Sequence, residues 1–209
     1  MRQLLRPIRS QWAAVGHHGT LDEIHQRWPE APIVFFVRDP VTRFVSGFNN
    51  FRRAVVHKST GKLPSQIELV AHTLFTTANE LAEGLASNDP RTRSAAEWAV
   101  TRLGFLRNHL TANLHSAAAV DRHRPHLALI GLFERFDVSV SAMRAALDLP
   151  PTLRLPTDES TAHRGLRHLP TRLSPVGHAA VAHWYRADIE LYAHCRTIHH
   201  EQTSELVGE

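Results

Sequence analysis

The sequence is short of cysteine and of long apolar runs, and each shortage excludes a class of protein. Cys195 is the single cysteine among 209 residues, so the chain has no internal disulfide. No apolar run approaches the ~20 residues needed to cross a bilayer. The basic start of the chain is not followed by the apolar stretch of a secretory signal. These features predict a cytoplasmic protein, or a soluble body facing the cytoplasm, without a transmembrane segment.

Lysine is also scarce, because only Lys58 and Lys62 of the 24 basic residues are lysines and the other 22 are arginines. The arginine fork suits phosphate, sulfate and carboxylate groups. An Arg- and Ala-rich composition also follows from genome base composition, and the arginines are scattered. No Lys/Arg block marks a nucleic-acid-binding tail, so nucleic acid is not an expected partner.

Two continuous apolar runs, Ile33–Val37 and Leu127–Leu132, are typical of parallel strands buried on both faces. Helical patterns alternate with them, which predicts an α/β fold. No repeat or linker divides the chain, so we expect one domain over residues 1–209. Helices are predicted from Thr20 to Trp28, from Pro40, over 64–85, over 92–116, from Asp137 to Leu147 and from Ser174-Pro175.

Apolar spacing predicts the buried faces of the two middle helices. The face of the helix over 64–85 carries Ile67, Val70, Leu74 and Leu81, and the face of the helix over 92–116 carries Val100, Leu103, Leu106, Leu110 and Leu114. Asn88-Asp-Pro90 separates the two helices.

The turn after the first strand has the composition of an anion site. Arg38 lies at the strand end, and Asp39 and Pro40 suit the cap and first position of a helix with free N–H groups. Arg43 and Ser46 lie three residues apart on one face of that helix. A capped helix with an Asp39–Arg43 pair and a buried Ser46 explains the same spacing equally well. Spacing alone leaves both interpretations open.

Phe36-Val-Arg-Asp-Pro-Val-Thr-Arg-Phe-Val-Ser46 resembles the 3'-phosphate-binding motif of sulfotransferases that use 3'-phosphoadenosine 5'-phosphosulfate (PAPS). The resemblance is closest to the Golgi-type carbohydrate group, such as heparan sulfate 2-O-sulfotransferase, and its bacterial relatives. Gly131-Leu-Phe-Glu-Arg-Phe-Asp137 and Asp188-x-x-Leu-Tyr192 are similar to later elements of the family. Arg107-Asn-His-Leu-Thr111 falls where such proteins carry an acceptor-side helix.

The resemblance implies a P-loop-NTPase-like sulfotransferase fold with a short parallel sheet flanked by helices. It implies that Arg38 and Ser46 bind the 3'-phosphate of PAPS and that Arg43 supports this loop. The implied reaction is sulfuryl transfer from the nucleotide donor to a hydroxyl of a carbohydrate or similar acceptor.

The family's second signature, a Pro-Lys-x-Gly-Thr-like loop after an N-terminal strand, has no match in the sequence. That loop grips the 5'-phosphosulfate in the family, so the expected fold lacks this strand and loop. A chain that starts late and a non-catalytic remnant that keeps only the 3'-phosphate site both explain its absence.

The remaining site residues are also implied by the resemblance. A Gly-His segment in the 2-O-sulfotransferase group holds the catalytic histidine, which makes His17 the first candidate for the base and His18 the second. Arg164, in a long loop from Pro150 to Thr171, is the candidate that closes over the donor. The clustered histidines near Cys195 lack a rigid four-ligand spacing, so no metal is expected.

Overall fold

The structure is a computed structural model that describes residues 19–57, 65–150 and 170–207. In this part of the chain the helices are α1 (Leu21–Arg27), α2 (Pro40–His57), α3 (Gln66–Leu74), α4 (Ala78–Leu85), α5 (Pro90–Arg102), α6 (Gly104–Arg107), α7 (Leu110–Leu114), α8 (Ala117–His123), α9 (Phe136–Ala146), α10 (Pro175–Trp184) and α11 (Arg186–Val207). The strands are β1 (Ile33–Val37) and β2 (Leu127–Leu132), and short 3-10 helices flank β2.

The chain forms two compact units, each with its own apolar core. The first consists of Met1–Arg38, Leu110–Leu153 and Glu190–Glu209, and the second of Asp39–His109 and Arg154–Ile189. The prediction of a single domain stays a prediction.

Both predicted strands are confirmed at their predicted bounds, and they pair in parallel in the first unit. Val37 lies opposite Leu132, so the carboxyl ends of the two strands coincide. Helix α9 packs against β2, and its predicted range is correct to within a residue. The expected α/β class with a short parallel sheet and flanking helices is therefore confirmed, whereas the P-loop-like topology stays a prediction.

The burial of β1 differs from the expectation. Ile33 and Val37 are buried, but the three residues between them are only half-buried. Within the described ranges β1 pairs with β2 alone. A cavity of about 410 Å³ runs along β1 and is bordered by α1 and α7. The prediction of a strand buried on both faces was thus wrong for its centre, because one side of the strand lines this cavity.

Helix α1 confirms the capping box predicted at Thr20. The Thr20 hydroxyl accepts from the backbone N–H of Glu23, and the Glu23 carboxylate accepts from the backbone N–H of Thr20. Asp22 of the same helix lies 2.6 Å from Nε2 of the buried His123 on α8. This hydrogen bond holds the pKa of the Asp22 carboxyl below its usual range.

The core of the first unit joins the sheet to the second half of α11. Cys195 and Ile198 of this helix are almost fully buried in the same cluster as Val37 and Ile130. Burial raises the pKa of the Cys195 thiol to about 12, so the thiol stays protonated at neutral pH. Nδ1 of His199 lies 2.8 Å from the carbonyl oxygen of Ile130 and ties the helix to β2.

The second unit is helical, and the starts of α2 and α10 agree with the prediction, whereas α5 starts before its predicted bound at residue 92. Helix α2 starts at Pro40, and α5 starts at Pro90 with the Asp89 carboxylate accepting from the backbone N–H groups of Arg91 and Thr92. Helix α10 starts at Pro175 behind the predicted Ser174 cap. The final helix is divided at Tyr185 into α10 and α11.

The prediction of one helix over 64–85 was wrong. The chain breaks between Leu74 and Ala78, where Thr77 caps α4 and the Glu80 carboxylate accepts from the Thr76 hydroxyl. The predicted face was also wrong for α3, because Ile67, Val70 and Leu74 are exposed. Leu81 on α4 is buried as expected.

The helix predicted over 92–116 is divided into α5, α6 and α7, with breaks at Leu103 and at Asn108. Its apolar positions were assigned correctly apart from Leu110, which is half-buried. The remaining four are buried: Val100, Leu103, Leu106 and Leu114. The 3.6-residue spacing thus identified the inward side chains but not the breaks, because extended backbone at Leu103 interrupts the helix while its side chain stays buried.

We predict that Gly131→Ala destabilises the protein through Phe36. A Cβ at position 131 would lie 2.5–2.8 Å from three carbons of the Phe36 ring, which faces Gly131 across the sheet. Forcing this contact should cost about 1–3 kcal/mol of unfolding free energy, measured by urea denaturation. Gly19→Ala is the control, because a Cβ there makes only ordinary contacts. In a Phe36→Leu background, Gly131→Ala should cost less unfolding free energy than in the wild type. An equal cost in both backgrounds would refute the contact with the Phe36 ring as the cause.

We also predict that His72→Leu removes part of the acid sensitivity of the fold. His72 is 7% exposed, packs on Phe48, and has no hydrogen-bond partner for either ring nitrogen among the described residues. Burial lowers its pKa to about 4. The unfolded chain binds this proton more readily than the folded chain does. The stability that depends on neutral His72 is therefore fully present above about pH 6.5 and is lost as the pH falls towards about 4.

Melting temperatures at several pH values check this prediction. The wild-type protein should lose more stability over that acid range than His72→Leu, whereas His178→Leu on the exposed side of α10 should behave as the wild type. Parallel curves for all three proteins would contradict it.

Candidate functional site

The β1–α2 turn forms as its sequence predicts. Oδ1 of Asp39 accepts from the backbone N–H of Thr42 at 2.8 Å, and the Thr42 hydroxyl donates to the Asp39 carbonyl at 3.1 Å. Pro40 at the first helical position requires no hydrogen-bond partner for its nitrogen. The turn leads into the positive end of an 18-residue helix, and the Asp39 carboxylate caps that end.

Arg38 lies in the first unit, immediately after β1 and at the edge where both strands end. Its side chain is half-buried. No carboxylate among the described residues forms an ion pair with it, although Asp39 follows it directly. A partly buried guanidinium without a protein counter-ion in the described ranges is suited to an external anion.

Ser46 lies in the second unit, on α2 two turns from the helix start. It is half-buried rather than enclosed in the core, and no hydrogen bond of its hydroxyl to a described residue is found. The structure thus places Arg38 and Ser46 in different units, and their joint role stays a prediction.

Arg43 is held within the second unit by three contacts. Its Nη1 donates to the carbonyl oxygen of Phe105 at 3.3 Å, and its Nη2 lies 3.7 Å from Oδ2 of Asp188. The guanidinium lies 5.8 Å from the centre of the Tyr185 ring. These contacts fix α2 to the start of α11, and the alternative pairing of Arg43 with Asp39 is not found.

Asp188 is a fully buried carboxylate between two basic side chains. Its exposed fraction is 0%, and its second neighbour is Nδ1 of His109 at 3.5 Å. The His109 ring also contacts Tyr185, whose hydroxyl donates to the carbonyl oxygen of Leu106 at 2.7 Å. Burial raises the pKa of Tyr185 far above its usual value. We call Arg43, His109, Tyr185 and Asp188 the Asp188 cluster.

Sequence reasoning did not find the Asp188 cluster. Its members lie on α2, beyond α6 and at the α10–α11 junction, and no local spacing connects them. Only the two segments that resemble the family, around His109 and from Asp188, pointed towards them, and neither indicated that these two side chains meet.

Glu134 of the late family-like element lies in the first unit and accepts a hydrogen bond from the Tyr192 hydroxyl at 2.8 Å. Gly131 of the same element accommodates the Phe36 ring. Both residues therefore have structural contacts in this unit. The three remaining predicted site residues, His17, His18 and Arg164, lie outside the described residues.

The sequence of residues 14–194 matches the model of the sulfotransferase family. The chain belongs to the sulfotransferase family. The match includes Arg38, Ser46 and the whole Asp188 cluster, and it assigns this sulfotransferase to sulfuryl-group transfer in general. Searches of curated proteins and of solved structures find no significant match.

Among the described residues, no helix is both long and apolar enough to cross a membrane. In the same ranges, no three His, Cys, Asp or Glu side chains are arranged to hold a metal ion.

We predict that Asp188→Asn lowers the stability of the sulfotransferase. The substitution leaves the Arg43 guanidinium without its buried counter-ion, which should cost about 1–3 kcal/mol of unfolding free energy. Glu190→Gln, at an exposed position of the same helix, is the matched control. Urea denaturation checks the difference, and equal midpoints for the two variants would contradict the structural role of Asp188.

Proposed function

We propose that this sulfotransferase uses PAPS as its donor and transfers the sulfuryl group to a hydroxyl of a carbohydrate or similar acceptor. The observation that supports the proposal most is the β1–α2 turn. It combines Arg38, which lacks a carboxylate partner in the described ranges, with a helix start capped by Asp39. The resemblance of this segment to a 3'-phosphate motif supplies the ligand.

The chemistry of the ligand suits these groups. A nucleotide 3'-phosphate is a dianion, and a guanidinium can donate to it through two parallel hydrogen bonds. The positive end of the α2 dipole favours negative charge, and the Ser46 hydroxyl supplies a further donor. In this proposal Arg43 does not touch the donor, since Phe105 and Asp188 hold its guanidinium and it keeps α2 in place.

When bound, PAPS supplies the sulfuryl group and a leaving phosphate. The protein must align the acceptor oxygen with the sulfur and the leaving oxygen, and it must take up the acceptor proton. Arg164 is proposed to close over the donor, and its position lies outside the described residues. The resemblance by itself points to His17 or His18 as the base, and both lie outside the described residues.

We predict that Arg38→Ala weakens binding of adenosine 3',5'-bisphosphate. Loss of a charge-assisted contact of about 1.5–3 kcal/mol corresponds to a roughly 10- to 100-fold higher Kd. Isothermal titration calorimetry measures the Kd, and thermal-shift curves confirm that the variant is folded. Arg196→Ala, at an exposed position on α11, is the matched control and should bind as the wild type does.

Adenosine 5'-monophosphate provides the ligand control, because it lacks the 3'-phosphate and should bind Arg38→Ala and wild type equally. An unchanged Kd for the bisphosphate in Arg38→Ala would remove the donor assignment. A chain that binds the bisphosphate but releases no sulfate from labelled PAPS would instead be the non-catalytic remnant.

A further inference from the structure

The Asp188 cluster has the components of a base oriented by a buried carboxylate. Asp188 is completely enclosed, whereas the His109 side chain beside it is 36% exposed. Nδ1 of the imidazole is the atom that faces the carboxylate, at 3.5 Å. This separation exceeds that of an ordinary hydrogen bond, and catalytic contacts often shorten only when substrate binds.

The chemistry of the pair determines the tautomer of His109. An ionised carboxylate only accepts hydrogen bonds, so the ring nitrogen that faces it carries the proton. In the neutral imidazole, Nε2 then holds the free electron pair. No hydrogen bond from Nε2 to another residue is found in the described ranges. Nε2 is therefore the basic atom of the cluster.

The other side chains of the cluster are less suited than His109 to act as the base. Nη2 of Arg43 lies 3.7 Å from the Asp188 carboxylate, and a guanidinium does not act as a base at neutral pH. Tyr185 is 1% exposed and its hydroxyl is engaged with Leu106, so it is not available as the base. Its ring, 5.0 Å from the His109 ring, limits rotation of the imidazole.

The cluster and the proposed donor site share helix α2. Arg43 is in the first turn of this helix, where its backbone N–H donates to the carbonyl oxygen of Asp39. Ser46 follows on the next turn of the same face. The contacts from His109 through Asp188 to Arg43 all lie within the second unit.

We propose that His109 is the general base of this sulfotransferase and that Asp188 is its positioning residue. The assignment rests on the proposed function, and it is an alternative to the predicted base at His17 or His18. Nε2 of His109 accepts the proton of the acceptor hydroxyl as its oxygen bonds to the sulfur of PAPS. The bond from sulfur to the bridging phosphate oxygen breaks, and adenosine 3',5'-bisphosphate leaves with that electron pair. Solvent then takes the proton from His109.

The tautomer is tested first, because it requires neither donor nor acceptor. Long-range proton–nitrogen NMR spectra of the full chain distinguish the two neutral imidazole forms, and His109→Gln identifies the signals of His109. The expected result is a proton on Nδ1 in the wild type and a shift towards the Nε2-protonated form in Asp188→Asn. A proton on Nε2 in the neutral wild-type ring would overturn the proposal.

Catalysis is tested with radiolabelled PAPS, using O-desulfated heparin and water as the two acceptors. His109→Gln should slow sulfate transfer by about 100-fold or more, the usual effect of losing a general base. Its affinity for adenosine 3',5'-bisphosphate should be unchanged. His183→Gln, at an exposed position on α10, is the control. Added imidazole should restore part of the rate to His109→Gly, which a purely structural role would not allow.

The outcomes separate this inference from the proposed function. Full turnover by His109→Gln, or loss of turnover in His17→Ala alone, would overturn His109 as base and leave the donor assignment intact. If the wild type binds the bisphosphate but releases no sulfate from PAPS, the assignment of His109 as base is overturned as well. Absence of bisphosphate binding by the wild type would instead refute the proposed function, together with the step that depends on it.

Discussion

Parallel pairing of β1 with β2 is the constraint on which the rest of the structure depends. Parallel strands cannot be joined by a hairpin, so the chain from Arg38 to His126 must form a crossover connection. The second unit is built largely from this connection. The same pairing places the ends of both strands at one edge, and Arg38 is the first residue beyond that edge. Open α/β sheets generally bind ligands at this edge.

Local signals account for the parts of the fold that could be predicted from the sequence. Both strands are continuous apolar runs, and the starts of α1, α2, α5 and α10 have a capping side chain within three residues of the backbone groups that it satisfies. The break within 64–85 also had a local signal, since Thr77 and Glu80 have the spacing of a helix start. The apolar period, which continues through the break, concealed it.

The candidate site also has a part that could be predicted from local sequence and a part that could not. Arg38 and the α2 start follow from adjacent residues, but the partners of Arg43 do not. Its contacts with Phe105 and Asp188 connect residues that are far apart in the chain, and only the packing of α2, α6 and α11 brings them together. An Asp39–Arg43 pair at helical spacing was the local alternative, and the buried carboxylate of Asp188 replaced it. Short-range patterns cannot decide such a competition, because its outcome depends on which carboxylate is desolvated.

The position of the single thiol affects how the purified protein behaves. Cys195 is enclosed in the first unit, and its raised pKa keeps it in the unreactive protonated form. The folded chain therefore has no thiol with which to cross-link another copy during storage in air. Maleimide or iodoacetamide should reach the sulfur only when the surrounding helix opens. The labelling rate would then report opening of this unit without an engineered probe.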